Sequence, residues 1–170
     1  MSTAPIELRA AAVRRDQLRA HLGELGIDGA LVHSRRRSAV TWLSGYSPGF
    51  ISNSATLWVP ADGEPVLGVA FPFEVDRARR TGLRTVAIDS PPDVLPGHVR
   101  RIGLLARDLA VDETTPDLLR DLARRGVHHV DLAPWSNEVR EVKTAEEIAA
   151  LTAAAQIGDL ALCAAARGDR

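Results

Sequence analysis

Gly45-Tyr46-Ser47-Pro48-Gly49 matches Gly-x-Ser-x-Gly, the spacing that exposes a nucleophilic serine on a sharp turn between a strand and a helix. That chemistry also needs the backbone N–H of the residue after the serine as an oxyanion donor. Here that residue is Pro48, which has no N–H. Losing one such donor costs roughly a hundredfold or more in rate. The segment that follows reads as a strand rather than a helix, so the stretch is expected to be a Gly/Pro loop. The histidines, His21, His33, His98, His128 and His129, form no His-Glu-x-x-His pair, and no Cys-x-x-Cys is present. His128 and His129 are neighbours on an expected strand and face opposite ways, one packed and one solvated. Acidic pairs such as Asp112/Glu113 and Glu146/Glu147 sit in loops or at helix starts, where carboxylates serve as electrostatic caps. No glycine-rich phosphate loop occurs, and Lys143 is the only lysine. No catalytic residue and no metal ligand set is assigned.

What remains is the stretch from Trp42 to Asn53. Trp42, Tyr46 and Phe50 place three aromatic side chains in or beside one loop, in a chain whose aromatic content is only 4%. Asn53 stands at the edge of the next strand. Broad apolar contact with fixed hydrogen-bond donors makes a good pocket wall. Phe50 and Asn53 lead as pocket residues, with Tyr46 and Trp42 behind them because buried aromatics usually pack.

The elements that would position this loop follow from periodicity and punctuation. Leu18, Leu22 and Leu25 mark a helix over Glu7–Leu25 that Gly26 ends. Strands are expected at Ala30–Val32, Ala55–Val59, Val66–Ala70, Thr85–Ile88, Ile102–Leu105 and Val127–Leu132. The second and third form a hairpin through Asp62-Gly63. Ser38–Leu43 reads as a helical turn, Glu74–Arg80 as a helix stopped by Gly82, and Pro91–Gly97 as a loop. A helix from Pro116, with Thr115 as N-cap, ends before Gly126, and a short one spans Trp135–Glu141. Thr144 and Glu147 make a capping box for a last helix from Ala145, with Ile148, Leu151, Ala155, Gly158 and Leu162 along one face. Strands separated by helices imply an α/β fold. Its sheet is mixed and mostly parallel, with one antiparallel hairpin and helices on both faces.

Composition narrows the classes further. The chain of 170 residues suits one α/β domain with a real core. Its formal charge of −1 gives no strong field. The arginine clusters, Arg14-Arg15, Arg35–Arg37, Arg79-Arg80, Arg100-Arg101 and Arg124-Arg125, are scattered and balanced by acid, so no nucleic-acid partner is expected. No run of about 18 apolar residues occurs, and the start has no signal-peptide pattern, so no membrane partner is expected either. A single cysteine, Cys163, suits a reducing compartment, and the cytoplasm is the expected location.

Four segments in order carry a family resemblance. Val139 to Ile148 resembles the Arg-x-x-Lys-Ser/Thr-x-x-Glu-Ile/Leu junction of the creatinase/prolidase/aminopeptidase P proteins. Leu18–Val32 resembles their first helix and strand, Trp42-Leu43-Ser44-Gly45-Tyr46 their Tyr-Leu-Thr/Ser-Gly-Tyr/Phe element, and Leu57–Val69 their hairpin. Ser38-Ala39-Val40 departs from the pattern, which often has an Asn before the aromatic-Leu pair. The resemblance implies a creatinase N-terminal, ribonuclease-H-like fold over residues 1–142, with residues 143–170 starting a linker helix toward an absent catalytic domain. It implies a non-catalytic part of an Xaa-Pro dipeptidase or aminopeptidase P-like metallohydrolase, serving dimerisation and walling the partner's active site. No cofactor is implied in this chain; two divalent metal ions are implied in the C-terminal "pita-bread" domain. The implied partners are that domain and a second copy in a homodimer. Two other readings stand beside it: a standalone binding or regulatory module, and a small hydrolase using Ser47.

Overall fold

The computed structural model describes residues 6–34, 39–47, 54–108, 113–114 and 116–167. By internal contacts the chain divides into two units, Met1–Pro134 and Trp135–Arg170. In the first, helix α1 (Ile6–Leu25) leads to strand β1 (Gly29–Ser34), short helix α2 (Ala39–Ser44) and the antiparallel pair β2 (Ala55–Pro60) and β3 (Val66–Val69). A 3₁₀ turn (Pro72–Glu74), α3 (Val75–Arg79), β4 (Arg84–Ala87) and a second 3₁₀ turn (Pro91–Val94) follow. Then come β5 (Arg101–Leu105), the two-residue strands β6 (Arg107–Asp108) and β7 (Glu113–Thr114), α4 (Pro116–Arg124) and β8 (His128–Asp131). Helix α5 (Ala133–Glu141) straddles the division, and α6 (Ala145–Arg167) lies in the second unit.

Six strands form one sheet in the order β4-β3-β2-β1-β5-β8. β2 pairs antiparallel with both of its neighbours, and the other three pairings are parallel. One strand therefore runs against five, and the mixed, mostly parallel sheet read from the sequence is the sheet observed. The expected element boundaries hold within a residue or two. The helix stops read at Gly26, Gly82 and Gly126 each take positive φ. Thr115, read as an N-cap, lies outside the described residues.

Alternation along the strands builds two apolar layers. Leu31, Trp58, Ile102 and Leu104 are buried on one face with Val94, Val99, Leu118, Leu122 and Val127, which places α4 and the second 3₁₀ turn there. Ala30, Val32, Leu57 and Val59 alternate with that set and are also buried, while α1 and α2 pack against β1 and β2. At Gly29 the Trp58 ring lies directly on the backbone. An added Cβ would fall 2.7 Å from Trp58 Cζ2 and 2.7 Å from the Val59 carbonyl oxygen. No other residue fits there without moving the sheet. Asp28, just before it, ties three strands together. Its Oδ2 accepts the backbone N–H groups of Arg100 (2.9 Å) and Arg101 (3.0 Å), and its carbonyl accepts from Ala61 (3.0 Å). Those two N–H bonds are the main cause holding its carboxyl below the ordinary aspartate value.

Three features differ from the sequence reading or escaped it. His128 and His129 are both exposed, because β8 is the outermost strand of the sheet and neither of its faces is well covered there. The β6–β7 pair was not legible in a two-residue pattern. Glu147–Ala166 is long and apolar enough by length and composition to cross a membrane, although Thr152, Gln156 and Asp159 break the apolar run.

The capping box formed as read. Glu147 N–H donates to Thr144 Oγ1 (3.1 Å), and Thr144 N–H donates to Glu147 Oε2 (2.9 Å). The stripe it introduces is exposed, Ile148 at 54%, Leu151 at 60% and Leu162 at 71%.

Candidate functional site

The ends of β1, β3 and β5 and the start of β2 meet at one edge of the sheet, the position at which open α/β sheets bind ligands. Helix α2 sits at this edge, and α1 holds its last turn. The Arg15 guanidinium, half-buried, donates to the Leu43 carbonyl at 2.7 Å. Arg14 donates to the Trp42 carbonyl at 2.9 Å and lies 5.2 Å from the centre of the Trp42 ring. Two cations therefore complement the negative end of α2 while one of them covers its tryptophan. Burial is the largest influence on Arg15 and lowers its pKa, with Arg19 adding to the effect.

The chain leaves α2 through a defined turn. Ser44 Oγ donates to the Val40 carbonyl (2.6 Å) and accepts the Tyr46 N–H (3.0 Å), and the Gly45 N–H reaches the Thr41 carbonyl (2.8 Å). Gly45 has φ 71°, a left-handed conformation that its lack of a Cβ makes inexpensive. Tyr46 then turns inward and is 3% exposed. Its hydroxyl faces the carboxylate of Glu74, also 3% exposed, at the end of the first 3₁₀ turn. Burial first, and the Glu74 charge second, push the phenol up to about 12, while Arg77 pulls the other way. His33 Nδ1 and Thr56 Oγ1 are 2.9 Å apart, near the end of β1 and the start of β2.

Of the four candidate pocket residues, Trp42 and Tyr46 are placed, and they face different neighbours: Arg14 for the first, Glu74 for the second. Phe50 and Asn53 lie outside the described residues. The Gly-x-Ser-x-Gly match fails on context, since helix α2 and not a strand precedes Ser47. Among the described residues no three His, Cys, Asp or Glu side chains are grouped so as to hold a metal ion.

Two features at this edge were missed in the sequence. Glu74 was read only as a helix start, and its burial against Tyr46 depends on a contact between distant segments. Phe71 and Phe73 stack with ring centres 5.3 Å apart and are 37% and 68% exposed. The Phe-Pro-Phe spacing was the available signal.

Comparison with known proteins places this geometry. The family model described as "Creatinase/Prolidase N-terminal domain" matches residues 14–142. Among solved structures, the creatinase/prolidase N-terminal domain of an X-Pro dipeptidase from Streptococcus pyogenes is similar at 21% identity and TM-score 0.60. The match covers 74% of this chain and 98% of that one. The prolidase from Pyrococcus horikoshii OT3 is similar at 16% identity and TM-score 0.71, over 91% of this chain and 42% of that one. The prolidase from Pyrococcus furiosus is similar at 20% identity and TM-score 0.65, over 88% and 42%. The chain thus spans less than half the length of the two Pyrococcus enzymes. Among curated protein sequences, none matches it.

Proposed function

The chain belongs to the creatinase/prolidase N-terminal domain family, and on that premise we propose that it is the non-catalytic N-terminal part of a metal-dependent hydrolase of Xaa-Pro peptides or a related C–N bond. The observation that carries this reading is the family match over residues 14–142, together with prolidases of more than twice this length that share the fold. The residues present agree with it. The Gly-x-Ser-x-Gly stretch follows helix α2 rather than a strand, and Pro48 has no N–H to donate as that chemistry would need.

In this account the chemistry belongs to the domain that follows, which would hold two divalent ions on its own carboxylates and histidine. The present chain contributes a wall. The entrance fixed by Arg14, Arg15, Ser44 and Tyr46 leads into the segment bearing Phe50 and Asn53. That segment would close over the active site of the partner subunit in a homodimer, in the cytoplasm. Phe50 would supply apolar contact for a prolyl ring, and Asn53 a hydrogen bond to the peptide.

The test uses the protein expressed from its full reading frame. Phe50→Ala and Asn53→Ala should lower kcat/KM for Xaa-Pro dipeptides while changing stability by no more than about 1 kcal/mol. Unchanged kinetics with a large fall in Tm would make both side chains structural and remove the wall from the account.

A further inference from the structure

Two of the chain's three phenylalanines stand side by side in water. Phe71 and Phe73 stack with ring centres 5.3 Å apart and planes 14° from parallel, and both are exposed. Single exposed apolar side chains are ordinary, whereas a stacked aromatic pair is a contiguous patch of the kind that marks a contact site. The pair is held in place. Pro72 starts the 3₁₀ turn, the Glu74 N–H donates to the Phe71 carbonyl (3.0 Å), and the Val75 N–H donates to that of Pro72. Glu74 is buried facing Tyr46, so the two rings flank an anchor at the same sheet edge as the Tyr46 turn.

A cation stands beside them. Arg77 follows Phe73 by four residues through successive helical turns, a spacing that sets two Cβ atoms about 5–6 Å apart on one face. Elsewhere the chain bridges its arginines to the acid three residues before: Arg19 to Asp16, Arg79 to Asp76, Arg120 to Asp117 and Arg124 to Asp121. Arg77 has Glu74 at that spacing, but the Glu74 carboxylate lies inside, against Tyr46. Among the described residues Arg77 forms no hydrogen bond or ion pair. An apolar patch bordered by an available positive charge suits an apolar group that carries an anion.

In an Xaa-Pro substrate that group is the C-terminal end. A C-terminal prolyl residue carries its ring and its carboxylate on one carbon, so the two stay within the about 5–6 Å between neighbouring helical positions. Each residue added to the peptide moves the carboxylate on by about 3.5 Å. We propose that Phe71 and Phe73 take the prolyl ring and Arg77 the free carboxylate of Xaa-Pro dipeptides, selecting them over longer or amidated Xaa-Pro peptides. This rests on the hydrolase reading above and adds to the contact assigned there to Phe50.

Steady-state kinetics of the protein expressed from its full reading frame decide it, with Ala-Pro, Ala-Pro-amide and Ala-Pro-Ala as substrates. Arg77→Gln should lower kcat/KM for Ala-Pro at least about tenfold, mainly through KM, and change that for the amide by less than about twofold. Arg77→Lys should recover part of the loss, and Phe73→Ala should lower all three substrates alike. Equal losses on Ala-Pro and its amide in Arg77→Gln would make the arginine structural and overturn the proposal. So would an unsubstituted enzyme that cleaves Ala-Pro-Ala as fast as Ala-Pro. If Arg77→Gln fails to fold, Arg77→Met, which keeps the apolar stem, takes the same comparison. No cleavage of any of the three by the unsubstituted protein would overturn the hydrolase reading itself, and is distinct from a cleavage pattern indifferent to Arg77.

Discussion

Tyr46 is the only tyrosine in the chain, so phenolate absorbance in the near ultraviolet reports one side chain without labels. Its ordinary pKa of 10.0 is pushed up to about 12 by burial and then by the Glu74 charge. A raised folded-state pKa means that the native protein holds this proton more tightly than the unfolded chain does. The associated stability is fully present below the unfolded value near 10.0 and is lost as the pH rises through about 12. Two units at about 1.36 kcal/mol each set a ceiling of roughly 2–3 kcal/mol, a figure that already contains the opposing pull of Arg77. Absorbance and circular dichroism followed together from pH 9 upward should show ionisation near pH 12, coincident with loss of structure. Glu74→Gln should lower the midpoint while leaving it above 10.0, because burial is the larger cause and survives the substitution. A phenol that titrates near 10.0 in an intact fold would refute the reasoning. It would mean that the hydroxyl is solvated and that Tyr46 does not turn inward against Glu74.

Three further outcomes follow from the packing and the caps. Gly29→Ala should destabilise the domain by about 1–3 kcal/mol in urea titration, since Trp58 and the Val59 carbonyl occupy the space, whereas Gly23→Ala, with nothing within 4 Å, should stabilise α1 by up to about 1 kcal/mol; equal effects would mean the sheet yields at Gly29. Asp28→Asn should flatten the acid limb of the stability profile, because a depressed carboxyl pKa contributes stability that is present above the ordinary aspartate value and lost as the pH falls through the native one; an unchanged limb would assign that loss to other carboxylates. Thr144→Ala should cost α6 roughly 0.5–2 kcal/mol, read as faster hydrogen exchange confined to that helix, and faster exchange in the β1, β2 and β5 amides as well would contradict a local cap.

Legibility in the sequence followed the range of the interactions. The Asp62-Gly63 hairpin, the glycine helix stops and the Thr144/Glu147 box are specified by neighbours a few residues apart, and each formed as read. The four-segment family resemblance carried the fold, because the order of elements fixes a sheet that no single segment determines. Contacts across tens of residues were not legible. Arg14 and Arg15 look like surface charge until α2 is folded against them, and Glu74 looks like a helix start until Tyr46 covers it. The exposure of both His128 and His129 needed the knowledge that β8 is an edge. Of the candidate pocket residues, local pattern did not indicate that Trp42 lies against Arg14 of α1 or that Tyr46 faces Glu74.

The central claim is that this chain serves a hydrolase without performing its chemistry. The direct measurement is hydrolysis of an Xaa-Pro dipeptide by the purified 170-residue chain beside the protein expressed from the full reading frame, each with and without a divalent-metal chelator. The account predicts no turnover by the chain under either condition, and turnover by the longer protein that the chelator abolishes. Turnover by the chain alone that disappears in Ser47→Ala would contradict it and make the Gly45-to-Gly49 sequence motif an active site after all.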